Sequence, residues 1–466
     1  MEKKIILLFA TFCMAVTVAM AQGPGPGGGS TDTIPDGAAY ILNNGGTVTL
    51  TGETLSTTSS DYNVVQVTSG NLTLNNCTIN KTGDTNSTDG DATSFYGINS
   101  AVYAKGLNAT SVITMNGGTI TTNAKGSNAV FAWRGATINV NDVTIHNYSQ
   151  VSRGLHATYE GIINATNVNI TTESETSSTI ATDRGGGTVI VTGGTATAKG
   201  NRSAVLYSTG TITANDLTGV SELGEIADVE GDNGVIINNC DMTSGSSERG
   251  LMMLQSGSGD AQGENAYITV TSSSLTTTDG SAPLCEVPTK NVGTLTLTDV
   301  TLSVASGKLM YVDYNTQWTT HGGTGNLVLN TTQSSWSYTG TVDADSYSNS
   351  TVTVGSNVTW NGANDADNNA LSTTVTVNGT WNLTGNSYVT TLVNNGVINK
   401  CGYTLTYGSL SGNGTINEGE GIDENYLDET INDNRVYTIE GRYLGDEVPD
   451  DYRGVYIQNG KKHVKI

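Results

Sequence analysis

A phrase of the form apolar–polar–turn–polar–apolar recurs along this chain at a nearly constant interval, and that interval limits the fold more than any other feature. The phrase begins at Met115, Val140, Ala165, Val191, Ala214, Ile237, Val270 and Leu297, in steps of 25, 25, 26, 23, 23, 33 and 27 residues. A second marker runs through Ala101-Val102-Tyr103, Ala129-Val130-Phe131, Gly154-Leu155-His156, Thr179-Ile180-Ala181, Ala204-Val205-Leu206, Ala227-Asp228-Val229 and Gly250-Leu251-Met252. Its steps are 28, 25, 25, 25, 23 and 23 residues. Two markers keeping one period predict stacked rungs, each burying its apolar residues only against its neighbours. Thr, Ser, Asn and Gly dominate, with only 6 Pro and 4 Phe, so the interior must be narrow and long. The expected fold is all-β: a right-handed parallel β-helix (solenoid) followed by a small C-terminal β-strand module. Rungs would lie ~4.8 Å apart, with equivalent Asn side chains bonded along the axis and Gly-Gly, Asn-Asp and Asn-Gly pairs at the bends.

The rest of the chain divides around this body. Residues 1–21 read as a secretory signal peptide: Lys3 and Lys4 precede an apolar run, and Ala19-Met20-Ala21 forms a small-x-small cleavage site. A flexible Gly/Pro leader spans 22–37, the parallel β-helix 38–340, with insertions at 81–93 and 257–265. Shorter coils occupy 341–417, an acidic linker 418–434 and a strand-rich tail 435–466. The net charge of −23 repels nucleic acid and anionic membrane, which removes both as partners. Cys77, Cys240, Cys285 and Cys401 are widely spaced with no CxxC pair; they read as small buried side chains, and no pairing follows from their positions.

Three resemblances extend this reading. The body resembles the broad pectate-lyase-like, right-handed β-helix class. The phrases Val375-Thr376-Val377-Asn378-Gly379, Leu392-Val393-Asn394-Asn395-Gly396-Val397-Ile398 and Leu410-Ser411-Gly412-Asn413-Gly414-Thr415-Ile416 resemble passenger repeats of autotransporter adhesins. The tail, Val436-Tyr437 through Gly441-Arg442 to Gly454-Val455-Tyr456-Ile457 and Asn459-Gly460-Lys461-Lys462, resembles the C-terminal sorting domain of Bacteroidetes type IX secretion substrates. That last resemblance implies outer-membrane secretion machinery as a partner and the surface of a Gram-negative cell as the address.

Catalytic signatures such as HExxH, a P-loop or GxSxG are missing, and only four His are present, so a His-based metal site is not expected. Polar groups cluster instead after the second marker: Trp133 and Arg134; Arg153, His156, Tyr159 and Glu160; Asp183 and Arg184; then Tyr207. Stacked rungs would gather them into a patch roughly 25 Å long. Aromatic planes beside Arg and carboxylates suit a sugar chain, whose CH faces stack while its hydroxyls take paired hydrogen bonds. The plainer alternative is an inter-rung ion-pair ladder of Arg134, Glu160, Asp183 and Arg184. The leading functional reading is a monomeric adhesin or glycan-binding protein that acts without catalysis or cofactor, meeting an extracellular glycan or a host or neighbour-cell surface. The alternative is a polysaccharide lyase or glycoside hydrolase, using Glu160, Asp183 and Arg184. Ca²⁺ is the one cofactor worth testing, with Glu230, Asp232 and Asp260 as its ligands.

Overall fold

The structure, a computed structural model, describes residues 35, 37–88, 90–106, 109–256, 259–314, 321–418, 435–438, 443–458 and 461–465. The signal segment, almost all of the leader and nearly all of the acidic linker lie outside these. Two compact units are present: residues up to 416, apart from 400–402, and a smaller C-terminal unit.

The large unit is a right-handed parallel β-helix. One side is a 12-stranded sheet of short strands, and the remainder of each rung enters a 21-stranded sheet of longer ones. Every pairing between rungs in both sheets is parallel, as in Leu155–Thr158 against Val130–Trp133 and Ile180–Asp183. The first sequence marker has the true register: Met115 pairs with Val140, Val140 with Ala165, Ala165 with Val191, and so on to Val270 with Leu297. These residues point inward and are buried. Each such Val, Leu or Ile contributes roughly 1.5–3 kcal/mol by leaving water, and the stacked rungs add a continuous ladder of backbone hydrogen bonds.

The second marker contains a slip. The inward column of the short-strand sheet runs Val130, Leu155, Ile180, Leu206, Ala227, Leu251. The spacing from sequence had placed Val205 and Asp228 in that column. A shift of one residue turns a strand's side chains to the opposite face, so Asp228 faces outward beside Tyr207.

Bends in the long-strand sheet are made by residues with positive φ, one on most rungs and a Gly-Gly pair at Gly117-Gly118 and Gly193-Gly194. Asn76, Gly117, Asp142, Asn167, Gly193, Asp216, Asn239, Ser272 and Asp299 all have φ between 49° and 73°. Gly, Asn and Asp tolerate that conformation best, which accounts for the Gly-Gly and Asn-Asp phrases. Several of these side chains also bond along the axis: Asn167 Nδ2 donates to Asp142 Oδ1 at 2.6 Å and Asn239 Nδ2 to Asp216 Oδ1 at 2.5 Å. Next to them, Asn116 donates to Asn75 and Asn141 to Asn116 at 2.9 and 3.1 Å.

Rung geometry changes after Asn330. Later rungs give the long-strand sheet one strand each, such as Asn349–Val354, and their next segment, from Trp336–Thr339 on, forms a third, five-stranded parallel sheet. Trp360 and Trp381 stack on successive rungs of this sheet at 4.9 Å and 11°. Each donates its indole N–H to a glycine carbonyl one rung back, Gly340 and Gly362 respectively. The plainer coils keep register, with Val375 on Leu392 and Leu392 on Leu410. Cys77, Cys240 and Cys285 are buried free thiols, whereas Cys401 is exposed at a left-handed turn position and so departs from the buried role expected of it.

The small unit is a four-stranded antiparallel sheet in the order Tyr443–Gly445, Val436–Thr438, Gly454–Gln458, Lys461–Lys465.

Candidate functional site: the outer face of the short-strand sheet

The first insertion does not leave the body. It folds back as a strap over the outer face of the short-strand sheet, carrying one short helix, Gly90–Ser94. Side chains on or just before the sheet's strands hold it there. Asn128 Nδ2 donates to Thr93 O at 3.0 Å, Thr158 Oγ1 to Phe95 O at 2.9 Å and Arg153 Nη1 to Ser94 Oγ at 3.2 Å. At its far end, Asn99 Nδ2 donates to Gly83 O and Lys125 O. Gly97 (φ 73°) presses so close to Phe131 that a Cβ there would lie 2.4 Å from the ring.

Phe95 and Tyr96 of the strap complete an aromatic cluster with Tyr103, Phe131 and Trp133. Tyr96 meets Trp133 edge-on at 5.8 Å and stacks on Tyr159 at 6.0 Å. The structure therefore corrects one part of the expected patch. Trp133 and His156 are 0% exposed, roofed by the strap rather than open to a sugar. Arg134 and Lys105 lie over the Trp133 ring at 4.9 and 4.4 Å and join this packing.

Beneath the strap, Asp183 is sealed at 2% exposure. Arg153 Nη2 stands 3.5 Å away and His156 Nε2 3.8 Å away, the latter too long for a hydrogen bond. Burial drives the Asp183 carboxyl up to about 7, against the opposing pull of the Arg153 guanidinium. Burial also pushes His156 well below its usual value, and the Arg153 charge adds to this, so the ring is neutral. Glu160 is exposed in the left-handed turn beyond. Glu160 and Asp183 thus meet opposite conditions, one in water and one sealed, and are not a facing pair of carboxylates on an open site.

Arg184 joins the two insertions. Its Nη1 donates to Asp91 of the strap at 2.8 Å, and its Nε and Nη2 donate to Asp260 of the second insertion at 2.9 and 2.6 Å. The guanidinium lies 3.9 Å above the Phe95 ring centre. Asp232 ties the same insertion down from the other side, accepting from Asn265 N and Nδ2 at 2.7 and 3.0 Å.

Past the strap, Tyr207, Asp228 and Glu230 are half-buried on adjacent outward positions. Tyr207 donates its hydroxyl to Glu230 Oε1 at 3.0 Å. Burial raises the proton affinity of Glu230, and raises that of Asp228 well above the usual range with the Glu230 charge adding to it. One carboxylate oxygen of Asp228 is buried without a hydrogen-bond partner. The column continues through Glu286, held at 3.1 Å by Arg249, which also engages Glu225 and Glu248. Of these groups, the sequence does not single out Glu225, Asp228, Glu248 or Glu286. The signal for Asp228 was an Asp-x-Glu alternation on one strand, hidden by the register slip.

The proposed Ca²⁺ ligands are otherwise engaged: Glu230 with Tyr207, Asp260 with Arg184 and Asp232 with Asn265. Among the described residues, Asp343, Asp365 and Asp367 bring carboxylate oxygens within 4.8 Å of one another, a spacing that a divalent cation can bridge. No protein-family model, curated protein or solved structure matches the chain, so the geometry alone carries the functional argument.

Proposed function

We propose that the chain is a surface-held or secreted protein of a Gram-negative cell that binds glycans through the half-buried strip of Tyr207, Asp228 and Glu230, acting as an adhesin or glycan-binding protein without catalysis. The observation that carries this is the strip itself: an aromatic hydroxyl and two outward carboxyls between two latched insertions, donors and acceptors suited to sugar hydroxyls. The charge balance narrows the ligand. Arg153, Arg184 and Arg249 are each engaged by carboxylates, so a uronate would meet acids whose cationic neighbours are already occupied. A neutral or amino-bearing glycan fits, and a uronate lyase does not. The sorting-like tail and signal-like leader support the cell-surface address.

One observation favours hydrolysis as a second reading. Asp228 and Glu230 stand two residues apart on Ala227–Glu230, hence ~7 Å apart at the strand rise, within the range of inverting glycosidases. Glycan-array binding run beside a reducing-end assay separates the readings. Binding without product, lost in Glu230→Gln, supports the first. Product formation lost in Asp228→Asn establishes the second. Preferential uronate binding or unsaturated uronate products would overturn both.

A further inference from the structure

On the opposite flank, the column of single-residue bends ends abruptly. Asp216, Asn239, Ser272 and Asp299 each turn their rung with one left-handed residue. After Asn330 the chain takes a five-residue excursion, 331–335, and re-enters at Trp336–Thr339 in the third sheet. That step leaves an open groove of about 580 Å³, whose lining includes Asp216, Asp241, Ser274, Gln333 and Trp336.

We propose that this groove is a separate binding site for a neutral, linear glycan lying along the helix axis. Its wall is pre-organised. The Asp299 carboxylate accepts from Thr331 Oγ1 and Thr332 Oγ1, both at 2.5 Å, and from Thr332 N at 3.1 Å, fixing the excursion. Trp336 is fixed as well, donating its indole N–H to Val300 O at 3.2 Å. It is half-buried, whereas Trp133, Trp360 and Trp381 are fully buried, and so it offers an aromatic face at the groove's end. Asp216, Asp241, Asn239 and the hydroxyls of Thr218, Ser272, Ser274 and Thr301 line the rest. No Lys or Arg is among the described residues lining it, so the carboxylates disfavour an anionic sugar. Of the strands beneath, Asp241–Ser244 and Ser274–Thr277 are paired on both sides, whereas among the described residues Thr301–Val304 is paired only with Ser274–Thr277, so a peptide strand added at that edge is the competing occupant. Rungs repeat every ~4.8 Å, giving an extended chain similar polar partners at each step, and a fixed aromatic plane supplies the stacking surface a pyranose face needs.

The test uses the full chain with fluorescently labelled neutral hexasaccharides (β-glucan, mannan, xylan) and an equal-length oligogalacturonate. A Trp318→Phe background simplifies the tryptophan signal. The expected result is that one neutral chain protects Trp336 from acrylamide quenching and the oligogalacturonate does not. Asp241→Ala and Gln333→Ala, both exposed and away from the core, should weaken that binding about tenfold together, and Trp336→Ala more. Unchanged binding in all three, with loss in Glu230→Gln, would overturn the groove and leave the first site standing. No binding by any neutral chain would overturn the groove while leaving an amino-bearing ligand open to the first site, and a preference for the oligogalacturonate would overturn the exclusion of anionic sugars.

Discussion

Asp183 is an acid held where its charge is disfavoured, and it is one of several. Burial also lifts Glu286 to about 7 and Asp313 and Asp343 to about 6. In the unfolded chain these carboxyls titrate near 4. Between about pH 4 and 7 the folded protein therefore holds protons that the unfolded chain has released. The resulting stability is present at low pH and is lost as pH rises through the folded values, at up to roughly 1.4 kcal/mol per pH unit for the sealed Asp183 and clearly less for the partly solvated Asp313 and Asp343. The denaturation midpoint should be higher at about pH 5 than at about pH 8, and Asp183→Asn should narrow the gap; a midpoint that rises with pH would contradict this. Arg184 carries a different expectation. Its ion pairs are partly in water, so Arg184→Met should cost only about 1 kcal/mol globally. The local effect should be larger: amide exchange across Asp91 to Tyr96 should speed up while the rungs stay protected. Uniform protection in the variant would show that the strap does not depend on this residue.

At the scale of elements, what could be read in the sequence was whatever repeats. The phrase from Met115 to Leu297 has its true register because each copy pairs an inward apolar residue with a bend of restricted chemistry. Where the short-strand marker relied on apolar identity alone, Val205 and Leu206 were interchangeable, and one slip hid Asp228. The insertion at 81–93 could be read as a break in the repeat, but not its folding back as a strap. It does not repeat, and its position depends on Asn128 and Thr158, which look like ordinary rung residues, and on Arg153, which reads as a ligand-facing group rather than an anchor. The bends allow a direct check. Asn167→Val should destabilise by about 1–2 kcal/mol, since a β-branched residue resists the left-handed region and the bond to Asp142 is lost. Asn167→Gly should cost clearly less, and equal midpoints for the two variants would refute the conformational explanation.

Within the helical unit, rungs shorten from about 25 residues to 17 between Val375 and Leu392, and the large side chains move inward to compensate. Trp360 and Trp381 fill the interior of the third sheet, so Trp381→Ala should cost about 3–5 kcal/mol, read as a lower denaturant midpoint. A midpoint within error of the parent would mean that the coils do not rely on that stack. The two proposed sites lie on different flanks of the solenoid, and the strip between the latched insertions is the first to test. Its most direct test is a binding titration of a neutral or amino-bearing hexasaccharide against the parent protein, Tyr207→Phe and Glu230→Gln, with an oligogalacturonate of equal length as the charged control. Saturable binding of the uncharged or amino-bearing chain is expected, weakening at least tenfold in both variants. Equal binding by all three proteins, or a preference for the oligogalacturonate, would contradict the proposal.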